Sequence, residues 1–395
     1  MDLNLTAEQK TFRDELAVWL KANVPSDWET HRLHDTMHDR FAFLRVWQKR
    51  VFEAGWAGVA WPKEFGGRGA GLMEQVIFTE EMAKAGAPPL ANVLGLALIG
   101  PTIVAYGTDA QKKRYLANIL SGDEIWCQGF SEPNAGSDLA GLRTEARLEG
   151  DHYIVNGQKV WNSYGWAADW CALVTRSDPA SQKHKGLTYL LVDMKSPGIE
   201  VRPLRQLTGE SEFTEIFFRD VKVPAENVLG TAGDGWNVAL GTLAHERATL
   251  GVSAQIAIRR QLDRLIELSR EVEANGNVAA DDPLTRQKLA QCYIENEVLR
   301  LNQMRAVSKI IQTGAPGPEG SILKLSWSES NQRFQIVAQE MLGAYAQLTG
   351  GEFAIDNGAF SYSYLRTRGN TIEAGTSEIQ RNIIGQHVLG LPKSY

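Results

Sequence analysis

The stretch Gly129-Phe-Ser-Glu-Pro-Asn-Ala-Gly-Ser-Asp138 stands where the sequence changes character. Before it, apolar residues recur at helical spacing. After it, short β-rich runs alternate with turn residues. Its glycines and small residues let backbone N–H groups come close to a ligand, and Ser131 and Ser137 add hydroxyl donors. By composition alone, a Gly/Pro turn between two elements is the plainer reading. Working outward, the order is helices, a β domain shaped as a small barrel or sandwich, then a helix bundle. The expected domains are 1–122, 123–233 and 234–395.

On the N-terminal side, Thr6 reads as an N-cap with Gln9 three residues on, as in a capping box. Phe12, Leu16, Trp19 and Leu20 then recur at helical spacing. Phe41 to Ala54 is a second helix stopped by Gly55, and the glycine-dense segment 55–71 is a loop. Further helices are expected over 72–85, 91–106 and 109–121. On the C-terminal side, Asn156-Gly157 lies between two β-rich runs, which is a hairpin signal. Strands are expected over 171–175, 187–193, 199–203 and 214–223. From Gly235 the chain is helical again, over 236–273, 284–313, 321–348 and 377–389, with a polar loop at 275–283.

The 395 residues are 43% hydrophobic and 22% charged, within the range of globular proteins. A formal net charge of −6 without a long Lys/Arg run excludes a basic footprint for nucleic acid or an anionic membrane surface. No apolar run approaches the roughly 18 residues of a membrane span. The polar N-terminus lacks the order of a signal or transit peptide. Cys127, Cys171 and Cys292 are far apart and odd in number, which suits a reducing cytoplasm better than a disulfide framework.

Several residues could carry chemistry. Glu246 shares a helical face with Ala239, Thr242, Leu243, Thr249, Leu250 and Ser253, a small or apolar stripe. A carboxylate there is either paired with a cation such as Arg247 or raised in pKa for catalysis, and structural pairing is the more frequent case. Glu373 and Glu378 flank an Ala374-Gly-Thr376 turn near the C-terminus. Trp161 at a strand end is by itself an ordinary core residue. His31, His34 and His38 lack a companion ligand at zinc-like spacing, so a solvated polar segment is the better reading. Neither a phosphate-binding P-loop nor a Gly-x-Gly-x-x-Gly after a strand is present.

Taken in order, the segments 106–116 with 121–124, 130–138, 156–161, 223–230 and 375–381 resemble the acyl-CoA dehydrogenase family of flavoproteins over nearly the whole chain. The resemblance implies a mainly α fold with a central β domain: an N-terminal helical domain, a small β barrel and a C-terminal four-helix bundle. It implies FAD, lined by Gln128, Phe130, Ser131, Gly136 and Ser137. Trp161 would flank the isoalloxazine, and Ser163 would donate near its N5/O4 edge. Leu342, Gly343, Ala344, Thr376 and Glu378 fall where the family contacts the dinucleotide, and Ser137 and Arg247 where it holds CoA. Many members carry their base as Glu in a Glu-Gly-Thr turn. That Glu aligns with Ala374 here, and Glu373 is one residue early, which redirects its side chain. A subgroup typified by isovaleryl-CoA dehydrogenase has Ala-Gly-Thr at the turn and its base on the long helix, as in His245-Glu-Arg247. Glu246 is therefore the expected base. The backbone N–H of Ala374 would donate to the thioester carbonyl, hydride would pass to flavin N5, and electrons would go to an electron-transfer flavoprotein.

The family's Arg-x-x-Phe-Gly motif is missing from 271–283, and the expected Gln and second Gly near 340–344 are Glu340 and Ala344. These departures touch contacts made across subunits. They suit bacterial branches acting on bulky side-chain or steroid CoA esters, some of them mixed tetramers with a homologous chain. A homotetramer or homodimer is the ordinary expectation. Rival readings are a flavin oxidase or monooxygenase relative, a non-catalytic partner subunit, and a nucleic-acid-binding relative, the last disfavoured by the acidic balance.

Overall fold

The computed structural model describes residues 4–274, 277–314 and 317–393, with the side chains at 33–34, 245–252, 274 and 277 outside the description. By its contacts the chain divides into two compact units. One comprises Pro25–Gly71 and Pro88–Glu246, the other Met1–Val24, Leu72–Ala87 and Arg247–Tyr395.

Helix α1 (Ala7–Asn23) opens on the expected capping box. Thr6 Oγ accepts from the Gln9 N–H, and the Gln9 side chain accepts from the Thr6 N–H. Next come α2 (Trp28–His34), α3 (Met37–Glu53) and α4 (Leu72–Lys84). The helix expected over 91–106 is broken into a π turn at Gly95–Ile99 and α5 (Gly100–Tyr106). Buried Asn92 explains the late start. Its side chain accepts from the Trp126 N–H and donates to the Ile119 and Glu124 carbonyls, and its own N–H goes to Gln48 Oε1. Its side chain and N–H are thus tied to other segments, while its carbonyl accepts the first helical bond, from the Leu96 N–H, so Asn92 caps the helix instead of lying inside it. A second capping box, Thr108 with Gln111, starts α6 (Asp109–Ser121), and left-handed Gly122 ends it.

The β domain lies wholly in the first unit. Its strands are β1 (Trp126–Gly129), β2 (Glu145–Glu149), β3 (His152–Ser163), β4 (Trp170–Arg176), β5 (Leu187–Asp193), β6 (Ile199–Leu204) and β7 (Phe213–Pro224). Among the described residues they form one curled sheet in the order β1-β4-β2-β3-β7-β6, with β5 on the free side of β4. Along β4, β1 pairs with residues 170–173 and β2 takes over at Arg176. Its core is Tyr153, Val155, Leu173, Leu190, Val192, Ile216, Phe218, Val221 and Val223. Burying one such aliphatic side chain is worth about 1.5–3 kcal/mol.

The hairpin expected at Asn156-Gly157 is not there. β3 runs straight through, and the turn sits between Glu149 and His152. Asn156 instead faces a bulge in β7 at left-handed Asp220, where the two side chains and the Asp220 N–H exchange hydrogen bonds of 2.9 Å. A Cβ on Gly157 would stand 2.7 Å from Thr144 Cα, so this glycine serves close strand approach and not a turn.

The second unit holds most of α7 (Gly235–Leu268), whose first residues belong to the first unit. The expected end at Glu273 is too late, because β8 (Glu273–Ala274) pairs with β9 (Asn277–Val278) where a polar loop was anticipated. Asp282 caps α8 (Pro283–Thr313), which runs antiparallel to α9 (Glu319–Leu342). Lys288–Glu340, Arg333–Glu295 and Lys309–Glu319 are rungs of one register between them. Helix α9 stops at Leu342 because Gly343 turns left-handed (φ 54°). Helix α10 (Ala359–Arg366) was not anticipated. It starts after three left-handed residues, Asp356, Asn357 and Gly358. Helix α11 (Ser377–Ile383) ends in a π turn at Ile384–Val388. The bundle core is Leu262, Leu265, Leu299, Trp327, Phe334, Ala338 and Leu342. Two amide pairs interrupt it: buried Gln255 with Asn296 (2.8 Å), and buried Gln335 with half-buried Gln261 (2.6 Å).

Among the described residues, no helix is long and apolar enough to cross a membrane, and no three His, Cys, Asp or Glu side chains could hold a metal. His31 lies between Asp35 (2.7 Å) and Asp27 (3.4 Å), and the His38 ring packs at a tilt against Trp166. The His34 side chain lies outside the described residues. Cys127 and Cys171 are buried in register on β1 and β4, and Cys292 is buried in the bundle.

Candidate functional site

In the first unit, the segment from Gln128 to Ser131 runs beside the end of β3. Three ties hold the two together. Asn162 Nδ2 donates to the Gln128 carbonyl (2.7 Å), the Val160 N–H to the Ser131 carbonyl (2.9 Å), and Lys159 Nζ to the Phe130 carbonyl (2.9 Å). The structure places Gln128, Phe130 and Ser131 beside the end of β3, which carries Trp161 and Ser163. The Phe130 ring is buried edge-on against Tyr189, so this residue offers a ligand mainly its backbone. Gly136 and Ser137 sit on the exposed loop after the Glu132–Ala135 bridge. A Cβ on Gly136 would meet nothing within 4 Å, so the chain's own packing does not require a glycine there.

Trp161 is the strained member. Between Lys159 and Asn162 the β3–β7 register slips, leaving an extra residue on β3. Trp161 adopts φ 64°, a left-handed conformation that costs a bulky residue on the order of 1–3 kcal/mol. Its indole is 60% exposed and touches Phe213 edge-on. The bulge thus turns out of the core an aromatic ring that an unbroken strand would have buried. On the same edge, buried Asn162 Oδ1 has no hydrogen-bond partner among the described residues.

Sequence reading missed what fixes this edge. Lys159 is fully buried, and its Nζ pairs with Glu132 Oε1 at 2.9 Å. Glu132 also accepts the Arg143 N–H (2.7 Å) and the Thr144 N–H (2.8 Å). Burial alone would raise the Glu132 carboxyl, but the charge of Lys159 and the hydrogen bonds from Thr144 and Lys159 outweigh it and hold it below the usual range. Burial likewise pulls Lys159 below the usual lysine value, with Glu132 opposing. A signal for Lys159 was present: counting by two from Tyr153 and Val155 lands on it, which places it on the inward face.

In the second unit, the chain enters the Ala374-Gly-Thr376 turn with Ala374 at φ 53° and Gly375 at φ 89°. Gln380 Nε2 donates to both of their carbonyls, at 3.0 and 3.3 Å. Thr376 caps α11 by accepting the Ile379 N–H. Glu378 is exposed in the first turn of that helix. Its own backbone N–H and the Thr376 hydroxyl hold its carboxylate below the usual range. Glu373 is engaged elsewhere: Arg366 donates to it at 3.0 and 3.3 Å and Asn370 Nδ2 at 2.7 Å. A cleft of about 440 Å³ beside the turn is lined by Gln332, Arg333 and Ile336 of α9 and by Thr371, Thr376 and Glu378. Buried Ser377 Oγ on its wall has no partner among the described residues. The Leu342 side chain lies in the bundle core and Gly343 is exposed, so only their backbones can face a ligand. The side chains of Glu246 and Arg247 lie outside the described residues; their backbone is helical within α7.

These two residue sets offer hydroxyls, backbone amides, an exposed indole and unpartnered buried oxygens. Taken separately, the first set suits a heteroaromatic ring edge and the second the polar groups of a dinucleotide. The helical–β–helical order defines the class, an acyl-CoA dehydrogenase fold. Profiles of the acyl-CoA dehydrogenase N-terminal, middle and C-terminal domains match residues 6–123, 127–221 and 233–389. The chain belongs to the acyl-CoA dehydrogenase family, a family of oxidoreductases. It is 40% identical over 400 residues to acyl-CoA dehydrogenase IpdE1 of Mycolicibacterium smegmatis, covering 98% of each chain. Among solved structures it is similar to the ChsE4–ChsE5 complex of Mycobacterium tuberculosis, with TM-score 0.88, 32% identity and full coverage of both chains. It is also similar to the Tcur3481–Tcur3483 steroid acyl-CoA dehydrogenase, with TM-score 0.87, 30% identity and full coverage of both.

Proposed function

We propose that the chain performs FAD-dependent α,β-dehydrogenation of an acyl-CoA thioester to a trans-2-enoyl-CoA, with Glu246 as the base. The observation that carries this reading is the engagement of Glu373. The turn that holds the base in many relatives has Ala374 in that place, and the neighbouring carboxylate is bound by Arg366 and Asn370. Its two oxygens are committed to a guanidinium and an amide, which hold the side chain in place beside the turn. The role then falls to Glu246, as in the isovaleryl-CoA subgroup.

In this scheme the Ala374 N–H donates to the thioester carbonyl. Such a backbone donor is worth about 3–4 kcal/mol where negative charge develops. Its left-handed geometry is held by Gln380 and needs no side chain at 374. The acidified α-proton goes to Glu246, and Arg247 and Ser137 bind the CoA portion. Gln128, Phe130, Ser131, Gly136, Ser137, Trp161 and Ser163 would hold the flavin, and Leu342, Gly343, Thr376 and Glu378 its dinucleotide part. When bound, FAD supplies the acceptor for the β-hydrogen as hydride. An electron-transfer flavoprotein then takes the electrons. The substrate class is a bulky, steroid-type CoA ester. Support comes from a steroid acyl-CoA dehydrogenase and a two-component complex among the similar structures. The same likeness supports assembly with a homologous chain as an alternative to a homotetramer or homodimer. The cytoplasm is the proposed compartment.

Anaerobic titration with a panel of acyl-CoAs, following flavin bleaching, tests this reading. Wild type should bleach, and Glu246→Gln should bind flavin yet stay yellow. Normal bleaching by Glu246→Gln would move the base elsewhere. A purified chain without flavin would make it the silent subunit of a heteromer.

A further inference from the structure

We propose that the buried Lys159–Glu132 ion pair is a positioning device that holds the Gln128–Ser131 segment against the Trp161 bulge and so sets the flavin-binding edge. The proposal rests on the FAD reading above and concerns two residues which that reading leaves without a role.

Stability does not account for the pair. Two charges taken out of water recover their desolvation cost only with good geometry, and apolar replacements of similar volume are often at least as stable. What such a pair can supply is a fixed arrangement, and here the arrangement is specific. Lys159 Nζ, with no exposure to solvent, reaches two acceptors on one loop: the Phe130 carbonyl and Glu132 Oε1, each at 2.9 Å. Glu132 then spends both oxygens on the backbone of the next segment, Oε2 on the Arg143 N–H and Oε1 on the Thr144 N–H. One ion pair thus ties strand β3, the 130–132 loop and the 143–144 segment together. Two residues beyond Lys159 stands Trp161, left-handed and exposed. On its far side, Asn162 is tied to the Gln128 carbonyl and to Thr214, whose hydroxyl donates to the Asn162 carbonyl at 3.0 Å. Trp161 is therefore held between two anchors, and a strained residue persists only when its surroundings over-determine it. Lys159 is the anchor that also fixes the Phe130 carbonyl, so the loop and the indole cannot shift independently.

The test compares wild type, the double variant Lys159→Met/Glu132→Met and the single variant Glu132→Asp. Each is purified as its native oligomer, stripped of flavin and titrated with FAD. FAD affinity and the visible circular dichroism of bound flavin are the readouts. The double variant leaves no unpaired ion but removes the acceptor of the Arg143 and Thr144 N–H groups, so it should fold with a modest fall in melting temperature. Its FAD dissociation constant should rise at least about tenfold, with an altered flavin dichroism, because the supporting shell of a site sets its geometry. Glu132→Asp keeps the charge but shortens the reach, and should weaken FAD severalfold at unchanged melting temperature. A double variant that binds FAD like wild type with the same dichroism overturns the pair's role and leaves the FAD reading intact. A double variant that cannot fold also overturns it, since the pair would then be a folding requirement. If wild type itself takes up no FAD, the FAD reading falls and the pair's role with it.

Discussion

Trp161 and Ala374 are both non-glycine residues in left-handed conformation, one in each compact unit, and they are held in different ways. Around Trp161 the restraints come from far away in sequence: Lys159 reaches Glu132, Asn162 reaches Gln128, and Thr214 reaches back to Asn162. Around Ala374 they come from close by. Gln380 is six residues on, and the Asn370–Glu373 and Arg366–Glu373 bonds lie within the same short stretch. A local turn of this kind can form as soon as its own few residues meet. The Trp161 edge exists only once the sheet is assembled, because its anchors are parts of other segments. An aromatic surface is thus built on long-range order, and a backbone donor on a turn whose own bonds are local, with α9 tying only the stretch before it, through Asn331 to Asn370 and Gln332 to Thr367 and Thr371.

The sharpest way to break this contrast is Lys159→Met alone. It strands the Glu132 carboxylate in the interior and should cost about 3–5 kcal/mol of stability. Denaturant unfolding measures it, and most of the loss should return in the double variant used above. At the local turn the corresponding change is milder. Glu373→Gln removes a half-exposed ion pair but keeps hydrogen-bonding capacity, so a loss of about 1 kcal/mol is expected. Acyl-CoA should still bleach the flavin of this variant. A silent flavin would return Glu373 to candidacy as the base. Smaller again is Ala374→Gly. Glycine relieves the left-handed strain but frees the unfolded chain, so the net gain should lie between about zero and 1 kcal/mol. A loss of several kcal/mol would mean that the Ala374 methyl packs in a way the turn geometry does not indicate.

The smallest effect serves as a control remote from both sites. The hydrogen bond to Asp35, ahead of the nearby Asp27 charge, raises the His31 pKa above its ordinary value. A raised folded value means the stabilisation is fully present below about pH 6.5 and is lost as pH climbs through the folded pKa. The melting-temperature difference between wild type and His31→Gln should therefore shrink as pH rises from 6 to 9. A difference that grows with pH would reverse the sign of this coupling.

Local chemistry was legible in the sequence wherever it acts over a few residues. Thr6 with Gln9 and Thr108 with Gln111 cap their helices, the latter start falling where helical spacing places it. Leu187–Asp193 is a strand with the expected ends. Misreadings came where a distant partner decides. Asn156-Gly157 carries a turn signature, but Thr144 and Asp220 hold it within a long strand, opposite a bulge in β7. Asn92 looks like an ordinary helix residue until Gln48, Ile119 and Trp126 claim its polar atoms. Helix α10 escaped because its start is set by consecutive left-handed residues, which helical periodicity does not register. The candidate site followed the same rule. Motif residues such as Ser131 and Trp161 were found by resemblance. Lys159 was passed over because a lysine in a β-rich run reads as solvent-facing when its partner lies 27 residues away.

The two amide pairs inside the bundle carry a consequence for how the sequence can drift. Gln255 and Asn296 satisfy each other inside the bundle, Gln255 Nε2 donating to Asn296 Oδ1 and Asn296 Nδ2 to the Gln255 carbonyl, and Gln335 Nε2 donates to Gln261 Oε1. Replacing one member by an aliphatic residue strands the other, whereas replacing both together can be nearly neutral. Descendants of this sequence should therefore hold or exchange these positions two at a time. A lineage carrying a single exchange would be one in which the interior has found another donor.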